Sequence, residues 1–458
     1  MANFKILILS LFVLIVPLSC EKDDSGEKNA EDRKNIEISR WIYDNMREVY
    51  LWNNTFSQSI NIEEKIKPFE FFDELLFETE DKWSYITDEY GVLKSHLSGT
   101  PVSMGYSPAF GLYGNNDNVL IIVEYVYPNS PASNAGLKRG DIIIKINGVM
   151  MDTDNYYELF SQTSYTVELG QFYQNTFYSA GKTISLTATQ IEADPLIYNT
   201  IFNIGDKKIG YMVYTEFISG NKDQYLAKLD LAFDNFRNNQ VTELIVDLRY
   251  NPGGEFNAAA RLASAIAPAS VLSSPNTFVA IQYNESVQNY FETTEGPDSE
   301  RLKFNYPENP HNLNLSDVYF LTTGNSASAS EMLIVGLKPY MTVKVIGEAT
   351  FGKYCGSWVI YDFDTPPAHD WAMMPIVMKY ANAAGYTDFK NGIAPDYFVD
   401  DNLIGAKPFG DLTDPMLSMA IEKITGMTLK TTQSHETTDI KRIESRLDKM
   451  KRNLIMPQ

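Results

Sequence analysis

The chain has 458 residues, enough for two to four domains around an ample apolar core. A formal net charge of −21 argues against nucleic acid and against a general affinity for anionic membranes. Two cysteines rule out a disulfide scaffold, and there is neither a Cys/His cluster nor a Gly-rich phosphate loop, so no metal and no cofactor is expected.

Residues 1–20 read as a targeting segment. Lys5 gives a basic start, and the apolar run 6–16 is too short to span a bilayer. It ends Pro17-Leu18-Ser19-Cys20, which resembles a bacterial lipoprotein signal with Cys20 lipidated; an ordinary cleaved signal or a short anchor is the alternative. Glu21-Lys22-Asp23-Asp24 looks like the acidic export tag of Bacteroidetes-type surface lipoproteins. The expected location is therefore the cell envelope, on a lipid anchor in the outer membrane, with residues 21–34 as a polar tether. Cys355 is then the one remaining thiol, read as a buried bystander.

Residues 35–98 read as a helical domain. Ile38, Trp41, Ile42, Met46, Val49 and Tyr50 recur at helical spacing, and a second helix starts at Pro68. Residues 99–192 read as a β-rich module: a strand over 119–126, a turn into a short helix at 128–137, and a strand ending in the tight turn Asn147-Gly148. The run SPASNAGLKRGDIIIKING resembles a PDZ domain, a fold that takes a peptide C-terminus by strand addition. On weak resemblance, Phe110, Gly111 and Leu112 form its carboxylate loop, and a blocked groove is the competing reading.

Over 193–430 strands and helices alternate, which predicts an α/β sheet. Strands are expected at 209–217, 243–247 and 318–322, and helices at 224–238, 255–266 and 414–426. The end, 431–458, reads as a charged tail with an amphipathic helix over 439–453. After the third strand the chain breaks at Thr323-Gly324-Asn325-Ser326, and a buried helix follows. Ser328 then sits where a strand turns into a helix, with the Ala329 N–H beside it as an oxyanion donor. None of the four histidines, His96, His311, His369 and His435, lies in a catalytic context. A lysine serves as base once burial lowers its pKa, and Lys353 lies among Phe351, Tyr354, Trp358 and Val359, with Glu348 the nearest carboxylate in sequence. Taken singly, a Ser/Ala run is more often a helix cap and a lone lysine a solvated charge.

Three ordered motifs change that balance. Ser328-Ala329-Ser330-Glu331, then Thr350-Phe351-Gly352-Lys353 with its lysine 25 residues after Ser328, and upstream Asp247-Leu248-Arg249-Tyr250-Asn251-Pro252-Gly253-Gly254 are similar to the active-site segments of the carboxyl-terminal processing (tail-specific) serine proteases. Gly392-Ile393-Ala394-Pro395-Asp396 is similar to their exit segment, and the helical and PDZ-like regions follow the family's order. The resemblance implies a multi-domain α/β protein with a ClpP/crotonase-like core. It also implies a serine endopeptidase with Ser328 as nucleophile, Lys353 as base, and Gly253 or Gly254 as second oxyanion donor. Protein or peptide substrates would be held by their free C-termini. Many members carry a glutamine four residues after the lysine, thought to orient it; Ser357 stands there instead. That departure keeps open a second reading, a catalytically weak or inactive surface lipoprotein that binds peptides or proteins.

Overall fold

A computed structural model describes residues 29–57, 59–114, 117–174, 176–304, 310–387, 389–429 and 440–443. Cys20, the targeting segment and most of the tail lie outside the described residues. The N-terminal region opens with helix α1 (Ala30–Val49), capped by Asn29, whose side chain accepts from Asp32 N. The helix therefore starts inside the stretch read as a tether. Its buried stripe is Ile38, Ile42, Met46 and, at the cap, Tyr50, which packs on Phe71 and Phe72 of α2 (Pro68–Leu75). Helix α3 (Tyr90–Leu97) completes the set. Between α2 and α3, strand Tyr85–Thr87 pairs antiparallel with Ala372–Met374, so this region is stitched into the later part of the chain.

The PDZ-like module is built on β1 (Tyr106–Tyr113) and β2 (Asn118–Val126), an antiparallel pair in a seven-stranded sheet. The region 156–182, which departs from a compact PDZ domain, forms the short helix α4 (Tyr156–Phe160) and the hairpin Ser164–Tyr173 with Thr176–Thr187.

The largest core belongs to a six-stranded sheet whose order follows the sequence: β3 (Leu196–Ile204), β4 (Lys207–Tyr214), β5 (Glu243–Asp247), β6 (Asp317–Thr322), β7 (Thr342–Gly347) and β8 (Tyr397–Phe398). The first pair is antiparallel and the rest are parallel. The central strands carry apolar middles, Leu244–Val246 and Val318–Leu321, because both faces are covered. Alternation sorts their side chains. Leu244, Val246, Val318 and Phe320 face helices α5 (Gln224–Asn238), α6 (Phe256–Ile266) and α7 (Ala329–Leu337). Ile245, Leu321 and Ile346 face α8 (Pro415–Thr425).

One tail reading is corrected. Within the expected helix 439–453, Lys441–Arg442 is a strand, β9, paired antiparallel with β1 at Leu112 and Gly111. β-pairing along an open sheet edge outcompeted the helical pattern there.

Candidate active site

Every residue of α7 is buried, and the turn that feeds it is held from below by the Asp247–Gly254 segment. Ser326 Oγ donates to Leu248 O at 2.7 Å, Ala327 N to Asn251 O at 3.1 Å, and Ser330 Oγ to the same carbonyl at 3.0 Å. Thr323 Oγ1 donates to Arg249 O. Between these anchors Ser328 adopts φ 57°, ψ −114°, a conformation that L-residues avoid. Such strain, on the order of 1–3 kcal/mol, persists only where surroundings over-determine it. Ser328 has no exposed surface, and its Oγ has no hydrogen-bond partner among the described residues.

The glycine pair explains how the two turns come so close. Gly253 has φ +111°, and a Cβ there would lie 2.7 Å from Ser328 Cβ. Gly254 has φ +135°, and its Cβ would lie 2.1 Å from Phe217 O. The Gly253 N–H donates to Asn251 Oδ1 at 2.9 Å, so of the two amides expected as oxyanion donors Gly253 is already engaged. Gly254 N–H has no such partner among the described residues. The Ala329 N–H opens α7 and belongs to the donors a helix start leaves over.

Lys353 is brought to Ser328 by two shared partners. The Glu331 carboxylate accepts from Ser328 N at 2.8 Å, Lys353 N at 2.8 Å, Gly352 N at 2.6 Å and Thr350 Oγ1 at 2.5 Å. The Tyr380 hydroxyl lies 3.0 Å from both Ser328 O and Lys353 O and donates to them. Burial lowers the Lys353 pKa from 10.5 to about 8; the Cys355 thiol, Asp81 and Glu331 pull it back up. Glu348 is the nearest carboxylate in sequence, but the carboxylates that act on Lys353 are Glu331 and Asp81, which tertiary folding supplies from further along the chain. Burial also raises Glu331 to about 7 against its four donors, and raises the Cys355 thiol well above its ordinary value. Cys355 is fully buried.

Two further assignments change. Ser357, which stands where many members carry the orienting glutamine, is buried in strand Cys355–Ser357 with an Oγ that has no hydrogen-bond partner among the described residues. A serine is too short to take up the glutamine's contact. Phe110, Gly111 and Leu112 lie inside β1 rather than in a loop. Strand pairing continues through them, and Gly111 lets Ile440 of the tail approach closely.

Arg249 of the same motif is structural. Its guanidinium, 2% exposed, meets Asp247, Asp401 and Asp414. Arg139 of the PDZ-like module lies 5.1 Å from the Tyr250 ring and donates to its hydroxyl at 2.6 Å. The module is thereby joined to the glycine turn. Sequence reasoning gave no role to Glu331, Asn251, Tyr380 or Asp81. The glutamate in the Ser-Ala-Ser-Glu motif was the one available signal.

The comparisons agree with this organisation. Residues 208–399 match the model of Peptidase family S41, residues 37–85 its Peptidase S41 N-terminal domain, and residues 122–168 a PDZ domain. The chain is 25% identical over 344 residues to a carboxyl-terminal-processing protease of Picosynechococcus, covering 74% of each chain. It is 23% identical over 308 residues to a chloroplastic C-terminal processing peptidase of Tetradesmus obliquus, covering 64% of this chain and 59% of that protein. A solved Bacteroides fragilis structure assigned to the S41 proteases superposes with a TM-score of 0.70 at 26% identity, covering 85% of this chain and 98% of that one. With an N-terminal domain, a PDZ domain and a catalytic core matched in that order, this chain belongs to peptidase family S41, a family of serine peptidases.

Proposed function

We propose that the chain is an endopeptidase of the carboxyl-terminal processing type that works through a Ser328–Lys353 dyad. The observation that carries this reading is the shared tether: one carboxylate, Glu331, and one hydroxyl, Tyr380, hold the backbones of both residues. The buried lysine and the Ser328 hydroxyl, which has no hydrogen-bond partner among the described residues, support it further. Neutral Lys353 Nζ takes the Ser328 proton as Oγ bonds to the scissile carbonyl carbon. The oxyanion is received by the N–H groups of Ala329 and Gly254. The C–N bond then breaks, the lysine ammonium returns its proton to the leaving amine, and water hydrolyses the acyl-enzyme. None of these steps needs a cofactor. Substrate polypeptides with free C-termini are gripped along Phe110, Gly111 and Leu112, and a lipid on Cys20 holds the protease at the outer membrane.

The test is cleavage of an unfolded protein, with new termini read by mass spectrometry. Ser328→Ala and Lys353→Ala should each lower the rate by about 10³-fold or more while leaving the thermal midpoint within a few degrees. Undiminished cleavage in either variant would remove that residue from the mechanism.

A further inference from the structure

The edge strand of the PDZ-like module is already occupied. Strand β9 pairs antiparallel with β1, placing Lys441 opposite Leu112 and Arg442 opposite Gly111, and Ile443 N donates to Phe110 O at 2.9 Å. Strand addition of this kind takes its affinity from backbone bonds and its selectivity from alternate side chains. The alternation is visible. Ile443 packs against the module's core, which contains Phe110 and is flanked by Tyr156 and Phe160 of α4. Ile440 and Arg442 point the other way. Ile440 packs against Leu120, Ile122 and Ile404, and its Cγ2 would lie 2.5 Å from a Cβ at Gly111, so glycine is what admits it. Arg442 pairs with Glu124, 5% exposed, and together with Ile440 lines a cavity of about 820 Å³ toward Arg139 and Arg249.

We propose that residues 440–443 are the resident ligand of this groove, and that the groove selects an extended peptide segment of the pattern aliphatic-x-basic-aliphatic. The occupant is internal: residue 443 is followed by further chain, so no free carboxylate is needed for docking. A substrate must displace it. The same Glu124 also accepts from Asn325 Nδ2 at 3.1 Å, in the turn that leads to Ser328. A basic side chain in the Arg442 position therefore shares one carboxylate with the active-site turn. Because the occupant is tethered, it competes at an effective concentration on the order of millimolar, and a micromolar peptide in solution is largely shut out.

The inference rests on the peptide-holding role proposed for Phe110, Gly111 and Leu112 but not on hydrolysis, so it is tested by binding alone. The probe is a fluorescent peptide with the sequence of residues 438–446, added to full chains carrying Ser328→Ala. With Arg442→Glu and Ile443→Asp added, the peptide should bind at least about tenfold more tightly than to the chain with its tail intact. Gly111→Val in that background should abolish the gain. Equal binding to both chains, binding to neither, or a gain that survives Gly111→Val would each overturn the proposal. If cleavage fails while these binding differences hold, the catalytic reading alone is at fault.

Discussion

Lys353 is the residue whose chemistry is most exposed to test. Its pKa is pulled from 10.5 to about 8 by burial, so at neutral pH the folded chain carries mostly the ammonium, which cannot act as base. The rate constant kcat/KM should climb close to tenfold per pH unit below that value and level off above it. The linkage has the same sign: between about 8 and 10.5 the unfolded chain binds more protons at this lysine, so its contribution to stability rises with pH across that window. A profile flat from pH 6.5 to 9 would contradict the assignment. Glu331 offers a second test. Replacing its carboxylate by an amide, Glu331→Gln, turns an acceptor for three backbone N–H groups and a hydroxyl partly into a donor. The expected cost is about 2–3 kcal/mol, read in chemical denaturation, with activity falling in parallel. Ser328 and Lys353 were singled out by the resemblance of three ordered motifs, since a Ser/Ala run or a lone lysine carries little signal by itself. Asp81 was not, because a contact between residues so far apart leaves no periodic trace.

At the scale of elements, the site is two turns pressed together, and the glycine pair sets the distance. Gly253→Ala adds a methyl 2.7 Å from Ser328 Cβ at a φ of +111°. Left-handed backbone alone costs about 1–2 kcal/mol, and a shift of the proposed nucleophile by about 1 Å costs roughly 100-fold in rate. Activity should therefore fall far more than the thermal midpoint does; an active Gly253→Ala enzyme would show that the turns are not so tightly fitted. Leu333, fully buried in α7, separates packing from chemistry. Leu333→Ala should lower stability by about 2–5 kcal/mol. The strands at 243–247 and 317–322 and helix α5 stand where apolar runs and helical spacing put them. The tail strand does not, since its conformation is set by a partner edge rather than by its own sequence, and the same holds for the reading of 110–112 as a loop.

For the whole molecule, three regions converge on the proposed dyad: the helical region through Asp81, the PDZ-like module through Glu124 and Arg139, and the parallel sheet through its two turns. Domain order was legible from composition and motifs, whereas these junctions depend on side chains that meet only after folding. The proposed anchor adds a prediction at this scale. Cys20→Ala should move the protein from the membrane fraction to the soluble fraction and abolish labelling by radioactive palmitate; unchanged labelling would exclude Cys20 as the lipid site. The most direct measurement of the dyad itself is peptide mapping after reaction with a fluorophosphonate between pH 6.5 and 9. A single adduct on Ser328 is expected, forming faster as pH rises through about 8 and lost in Lys353→Ala. An adduct on another residue, or one on Ser328 that forms as fast without Lys353, would contradict the mechanism.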